Sequence, residues 1–264
     1  MESTATAASN GIHIALAAEQ ITEFFGIPIT NTLITSWVVI ALLIGVSLLL
    51  RGRLSEVPGK IQLLFECVIE FILDYIEQTL GSRRLALRYF PLLTTLFLFI
   101  FISNILEFMP GIGSIGFFET ANNVHAAPES GESFIPLFRS VNTDLNVTLA
   151  LTLIVFAVIE LSGIVLLGFF KYFSRFFNFH SPMDFFIGII EFFSEIARLV
   201  SFSFRLFGNI FAGEVMIAVI AFFVPFVVPV PFMLFEIFVG FMQAAIFALL
   251  TLFFIKIAVM EVSH

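Results

Sequence analysis

Five apolar stretches, at 31–50, 90–109, 143–170, 184–223 and 231–260, alternate with polar segments along the chain. Each is long enough to cross a hydrocarbon core about 30 Å thick, which takes about 20 helical residues. The stretch 184–223 contains no proline and as one helix would be about 60 Å long. That is about twice the hydrocarbon thickness, so it must tilt, bend or run partly outside the bilayer. Only "VPFVVPVP" separates it from the last stretch, which predicts a long, strongly tilted antiparallel hairpin.

The segment "PGKIQLLFECVIEFILDYIEQTLG" follows a different pattern. Gln62, Glu66, Glu70, Asp74 and Glu77 recur at helical spacing and form one polar stripe, with Pro58 near its start and Gly81 just past its end. An amphipathic helix over 58–80 is predicted, lying on the cytoplasmic side rather than spanning. Its acidic stripe is expected to be a solvated face.

Loop charges set the orientation. Arg51, Arg53, Lys60, Arg83, Arg84 and Arg88 lie between the first and second spans, and Lys171 and Arg175 between the third and fourth. The 110–142 loop holds only Arg139 against Glu119, Glu129 and Glu132. By the positive-inside rule the N-terminal segment 1–30 and the 110–142 loop are extracytoplasmic and the C-terminus is cytoplasmic. The opening "MESTATAASN" lacks a basic n-region, so insertion is expected through the spans themselves, without a cleaved leader.

Composition narrows the class. With 59% hydrophobic and 12% charged residues the chain cannot cover a soluble surface, so an all-α polytopic membrane protein forming a single membrane domain (1–264) is expected. A net charge of −8 argues against nucleic acid as a partner. Cys67 is the lone cysteine, which excludes an internal disulfide, and it reads as a small core hydrophobe. No loop of the GxxxxGK[ST] type is present, so phosphate chemistry in this chain is not expected. Neither a metal nor a cofactor site is expected.

Charged groups inside membrane segments are costly and therefore candidates for function. They are Glu107, Glu160, Glu191, Glu195, Arg198, Arg205, Glu214 and Glu236, joined by Asn104, Asn209 and Gln243. At 100° per residue, Glu191, Arg198 and Arg205 share a helix face and Asn209 follows one turn after Arg205, whereas Glu214 turns to the opposite face. Glu195 and Arg198 can pair at i,i+3. Arg205 has no such partner. In an antiparallel hairpin, Arg205 falls level with Gln243 and Glu214 level with Glu236, because both pairs are centred on 224–225, beside Pro225. Two polar clusters are thus expected. Glu214, Glu236, Glu107 and Asn104 lie toward the outside, and Glu191, Ser194 and Glu195 toward the cytoplasm. Between them stands a cation whose pKa is too high for a proton relay. Packing alone is the alternative role for Glu160, and ion pairing with Glu195 for Arg198.

"RLFGNIFAGE" at 205–214 resembles the signature of subunit a of the F-type ATP synthase membrane sector, and so do "FPLLTTLFLFIFISNILEFMPG" at 90–111 and "TDLNVTLALTL" at 143–153. "FMQAAIFALLTLFFI" at 241–255 and "FGIPITNTLITSW" at 25–37 fit the same pattern. The resemblance covers nearly the whole chain. It implies a non-catalytic stator subunit of the bacterial plasma membrane. Partners would be the ring of c subunits, the b subunits of the peripheral stalk and the rest of the complex. Arg205 would be the family's essential arginine, with Gln243 beside it and Asn209 one turn on. Glu214, Glu236, Glu107 and Asn104 would form the outer half-channel, and Glu191, Ser194 and Glu195 the inner one. Two other readings stay open at this point: a secondary transporter whose Arg205 pairs with Glu214 or Glu236, and a structural anchor whose buried charges serve assembly alone.

Overall fold

The computed structural model describes residues 18–24, 27–51, 59–109, 115–119, 133–168, 172 and 182–260. Pro58, Arg53, Lys171, Arg175, Glu129 and Glu132 lie outside the described residues. Six helices occur among the described residues: α1 (Asn31–Arg51), α2 (Lys60–Leu80), α3 (Arg83–Glu107), α4 (Leu145–Leu167), α5 (Pro182–Phe223) and α6 (Pro229–Met260). All but α2 are long and apolar enough to cross a membrane.

Two short antiparallel ladders, absent from the sequence-based picture, complete the described structure. They are β1 (Gln20–Phe24) with β2 (Ile27–Thr30), and β3 (Gly116–Glu119) with β4 (Ser133–Pro136). They are too short and too locally paired to disturb an apolar periodicity, which is why the pattern did not announce them.

The buried residues of each helix form one stripe. On α3 it is Tyr89, Leu93, Leu96, Ile100, Ser103 and Asn104; on α4 it is Thr148, Thr152, Val155, Ile159 and Ser162. On α6 Glu236, Gly240, Gln243, Phe247, Thr251 and Ile255 face inward. These spacings of three and four put one face of each helix on the others. The opposite faces keep large apolar side chains exposed, such as Trp37, Ile44 and Leu48 on α1. Lipid is a suitable neighbour for them, since hydrocarbon tails are as apolar as leucine. Cys67 of α2, expected in the core, is exposed for a different reason. At 100° per residue Cys67 falls about 20° from Asp74, on the polar stripe of α2 rather than on its apolar face.

Helix α2 ends where glycine allows it. Gly81 adopts φ 69°, and its N–H donates to the Glu77 carbonyl at 2.8 Å, the left-handed stop that a side chain disfavours. Helix α3 then begins at Arg83 and continues through Pro91, ahead of the apolar run that marked the span in the sequence. Arg83 ion-pairs with Glu77 at 2.7 Å and Asp74 at 3.3 Å on the surface.

Helices α5 and α6 pack antiparallel. Gly213 lies against Glu236, and the Phe202 ring packs on Phe247 with centroids 5.0 Å apart. Eleven residues back along α5 correspond to eleven forward along α6, as required for helices running in opposite directions.

Candidate functional site: a bare arginine between two polar groups

Helix α5 separates its residues by face. Phe202, Ser203, Leu206, Ile210 and Gly213 point into the bundle, whereas Ser201, Arg205, Asn209 and Ala212 are exposed. Among the described residues no acidic side chain lies within ion-pair distance of Arg205. Its guanidinium carbon sits 6.0 Å from the centroid of the Phe202 ring. Phe202, Arg205, Leu206, Gln243, Phe247 and Leu250 line one crevice. Arg205 and Gln243, level in the sequence-based register, therefore meet at the same depth.

Toward the α5–α6 turn, three carboxyl groups from three helices converge. Glu236 of α6 is 3% exposed, and its carboxyl group lies directly over Gly213. A Cβ at position 213 would stand 2.1 Å from the Glu236 Cδ and 2.2 Å from both carboxyl oxygens. The glycine is what makes room. Glu107, at the end of α3, lies within electrostatic range of Glu214, Glu236 and Arg139 and beside Ser140. Each of Glu107, Glu214 and Glu236 has a buried carboxyl oxygen that no protein group hydrogen-bonds. Such groups are expensive unless protonated, hydrated or paired.

Arg139 supplies one pairing. Its Nη2 stands 3.8 Å from Glu214 Oε2, with 9% of the arginine side chain exposed. The Arg139 backbone N–H donates to Thr35 Oγ1 at 3.2 Å, which ties this segment to α1. Glu19 lies in the same field. Burial raises its pKa above the ordinary carboxylate range, and the Arg139 charge pulls in the opposite direction.

Asn104 is bound at both ends. Its Nδ2 donates to the Gly240 carbonyl at 3.0 Å, and its Oδ1 accepts from Asn142 Nδ2 at 2.7 Å. Gly240 has no side chain to spare here, since a Cβ would lie 2.8 Å from that of Asn104. Next to this junction, Asp144 caps α4 by accepting from the Asn146 N–H at 2.9 Å and also accepts from Thr32 Oγ1 at 2.8 Å. Thr148 and Ser203 share a hydrogen bond of 3.2 Å that joins α4 to α5.

At the other end of α5, Glu195 is buried and its Oε2 accepts from Arg198 Nη1 at 2.7 Å. Arg198 also lies over the Phe254 ring at 4.3 Å. Glu191 is half-buried one turn earlier, and Ser194 is exposed. Glu160 stands apart from both groups. The Tyr172 hydroxyl donates to its carboxylate, and the Tyr172 ring occupies the space that a side chain at Gly163 would fill.

The structure thus gathers Glu107, Glu214 and Glu236 toward the turn, holds Asn104 in the adjoining wall, and leaves Glu191, Ser194 and Glu195 on the far side of Arg205. Sequence reasoning missed Arg139, Ser140, Asn142 and Tyr172. A signal for Arg139 existed, because it is the one lysine or arginine in the 110–142 stretch.

Comparison with known proteins gives a consistent picture. The family described as ATP synthase A chain matches residues 33–256. The ATP synthase subunit a 1 of Syntrophotalea carbinolica is 34% identical over 229 residues, covering 86% of this chain and 84% of the relative. The ATP synthase subunit a of Moorella thermoacetica is 31% identical, covering 87% and 90%. A relative from Propionigenium modestum, named as sodium ion specific, is 34% identical over 241 residues and covers 91% of this chain and 78% of its own length.

Proposed function

Because this chain belongs to the ATP synthase A chain family, we propose that it is the stator subunit that leads protons to and from the rotating ring of c subunits. The observation that carries the proposal is Arg205: exposed on α5, level with Gln243, and without an acidic partner among the described residues. An unpaired guanidinium at a mid-helix membrane position costs several kcal/mol on insertion scales, about +2.5–3.5. An anion delivered by a neighbouring subunit offsets that cost. A carboxylate on each passing c subunit is such an anion.

The three carboxyls toward the turn form the outer half-channel, with Asn104 in its wall. Glu191, Ser194 and Glu195 form the cytoplasmic one. A proton entering from outside neutralises a ring carboxylate, which can then enter lipid. The ring turns, and the proton leaves through the inner group. Arg205 attracts each returning carboxylate in its charged form and repels a proton that would cross directly. Asn209, one turn along the same exposed face, and Gln243 complete the polar surface presented to the ring.

The rest of the arrangement follows from length and charge. Helix α5, 42 residues long, measures about 63 Å against a core of about 30 Å, so it crosses strongly tilted alongside the ring. The basic residues between α1 and α3 put α2 on the cytoplasmic side of a bacterial plasma membrane, with the N-terminus outside and the C-terminus inside. The b subunits of the peripheral stalk hold the chain against rotation. The chain itself performs no phosphate chemistry.

An internal transporter pair is disfavoured because Glu214 sits near Arg139 and Glu236 over Gly213, neither within ion-pair distance of Arg205. Replacing Arg205→Ala tests the proposal. The complex is expected to assemble and to lose ATP-driven proton pumping; retained pumping overturns it. Transport with and without Na⁺ decides the coupling ion.

A further inference from the structure

The outer group holds more acid than its own helices can balance. Glu107 comes from α3, Glu214 from α5 and Glu236 from α6, while Glu19 approaches ahead of β1. The described charged or titratable groups within electrostatic range of Glu107 or Glu19 are these carboxyls and one cation, Arg139, with the Ser140 hydroxyl beside Glu107. Arg139 is not a loose surface side chain. It is 9% exposed, its guanidinium stands 3.8 Å from Glu214, and its backbone N–H is bonded to Thr35 of α1. Asn142, three residues on, fixes the same segment to Asn104 and the Ile100 carbonyl.

We propose that Arg139 is a positioning residue for proton entry: it is the fixed countercharge of the Glu107–Glu214–Glu236 group and sets the external pH at which that group loads. The proposal rests on the reading of this group as the outer half-channel. With the guanidinium in place, one carboxyl can stay ionised and exchange protons with outside water. Without it, three neighbouring acids have no nearby countercharge among the described residues, and each negative charge disfavours the next. They then hold protons up to a higher pH and release them less readily toward the ring. The buried, unbonded oxygens on all three acids make the site responsive to a single nearby charge.

The test uses the intact complex in liposomes, oriented so that the lumen contacts the proposed outer face. ATP synthesis is measured against lumenal pH, with the medium on the cytoplasmic face held at fixed pH and a fixed potassium-diffusion potential imposed. Arg139→Gln and Arg139→Met are expected to raise the half-maximal lumenal pH by about one unit and to lower the maximal rate. Arg139→Lys, which keeps the charge, is expected to stay at the wild-type midpoint. An unshifted midpoint in the neutral variants overturns the proposal, as does an equal shift in Arg139→Lys. Failure of both neutral variants to assemble, with Arg139→Lys intact, also overturns it and assigns the cation to folding. Glu236→Gln separates the two levels. If it transports at the wild-type rate with an unshifted profile, the half-channel reading itself fails. If it is slowed while Arg139→Gln shifts nothing, only the role of Arg139 fails.

Discussion

Gly213→Ala is the smallest change expected to disable the outer group. The added methyl would stand 2.1 Å from the Glu236 Cδ and 2.2 Å from both oxygens, where ordinary carbon contacts are about 3.5–4.0 Å. The carboxyl must therefore retreat by about 1.5 Å, or α5 and α6 must separate. Overpacking of this kind costs about 1–3 kcal/mol. If that cost falls on proton transfer, at about 1.4 kcal/mol per tenfold, pumping drops about 5- to 150-fold. The assay is ATP-driven acidification of inverted membrane vesicles, normalised to the amount of subunit in the complex. Adding Glu236→Asp shortens the acid by one methylene and is expected to restore part of the rate, with a coupling of about 1 kcal/mol or more. Gly45→Ala is the control, since a Cβ there meets nothing within 4 Å. Wild-type pumping by Gly213→Ala, with no coupling to Glu236→Asp, would refute the close approach of these two residues as a functional constraint.

Two further outcomes are expected. Asp144→Ala removes the α4 cap and leaves the buried Thr32 hydroxyl without its acceptor, which should cost about 2–4 kcal/mol and lower the thermal inactivation temperature of the solubilised complex; an unchanged temperature would contradict it. Glu19 titrates above its unfolded value because of burial, so the native protein holds more protons than the unfolded chain between the two pKa values. Stability therefore falls as pH rises through that window and stays lowered above it. Glu19→Gln should flatten this dependence and raise stability at neutral pH, a result checked by thermal denaturation across acidic to neutral pH.

Much of the helical layout was legible because a membrane span announces itself by length: apolar runs at 31–50 and 231–260 correspond closely to α1 and α6. The α5–α6 register was legible too, because the turn at 224–225 and the antiparallel direction together bring Arg205 level with Gln243 and Glu236 beside Gly213 and Glu214. The start of α3 was hidden, since Arg83, Arg84 and Arg88 interrupt the apolar run and Pro91 imitates a helix boundary. Arg139 was hidden for another reason. In sequence it is one charge in a polar loop, and only the packing of that loop against α1 and α3 brings it to Glu214. The same holds for Tyr172 and Glu160, whose contact depends on how the chain returns after α4. A residue's exposed face was legible on α5, where charge and small side chains mark it, and also on α2, where Cys67 lies beside Asp74 on the polar stripe although its apolar side chain read as core.

In the proposed function, Arg205 blocks direct passage between two groups that each open to one side only. The most direct test is passive proton conduction through the complex with its rotor covalently cross-linked to the stator. Under an imposed potential the wild-type complex should conduct nothing, and the Arg205→Ala complex should leak. A locked Arg205→Ala complex as tight as the wild type would refute this role of the arginine.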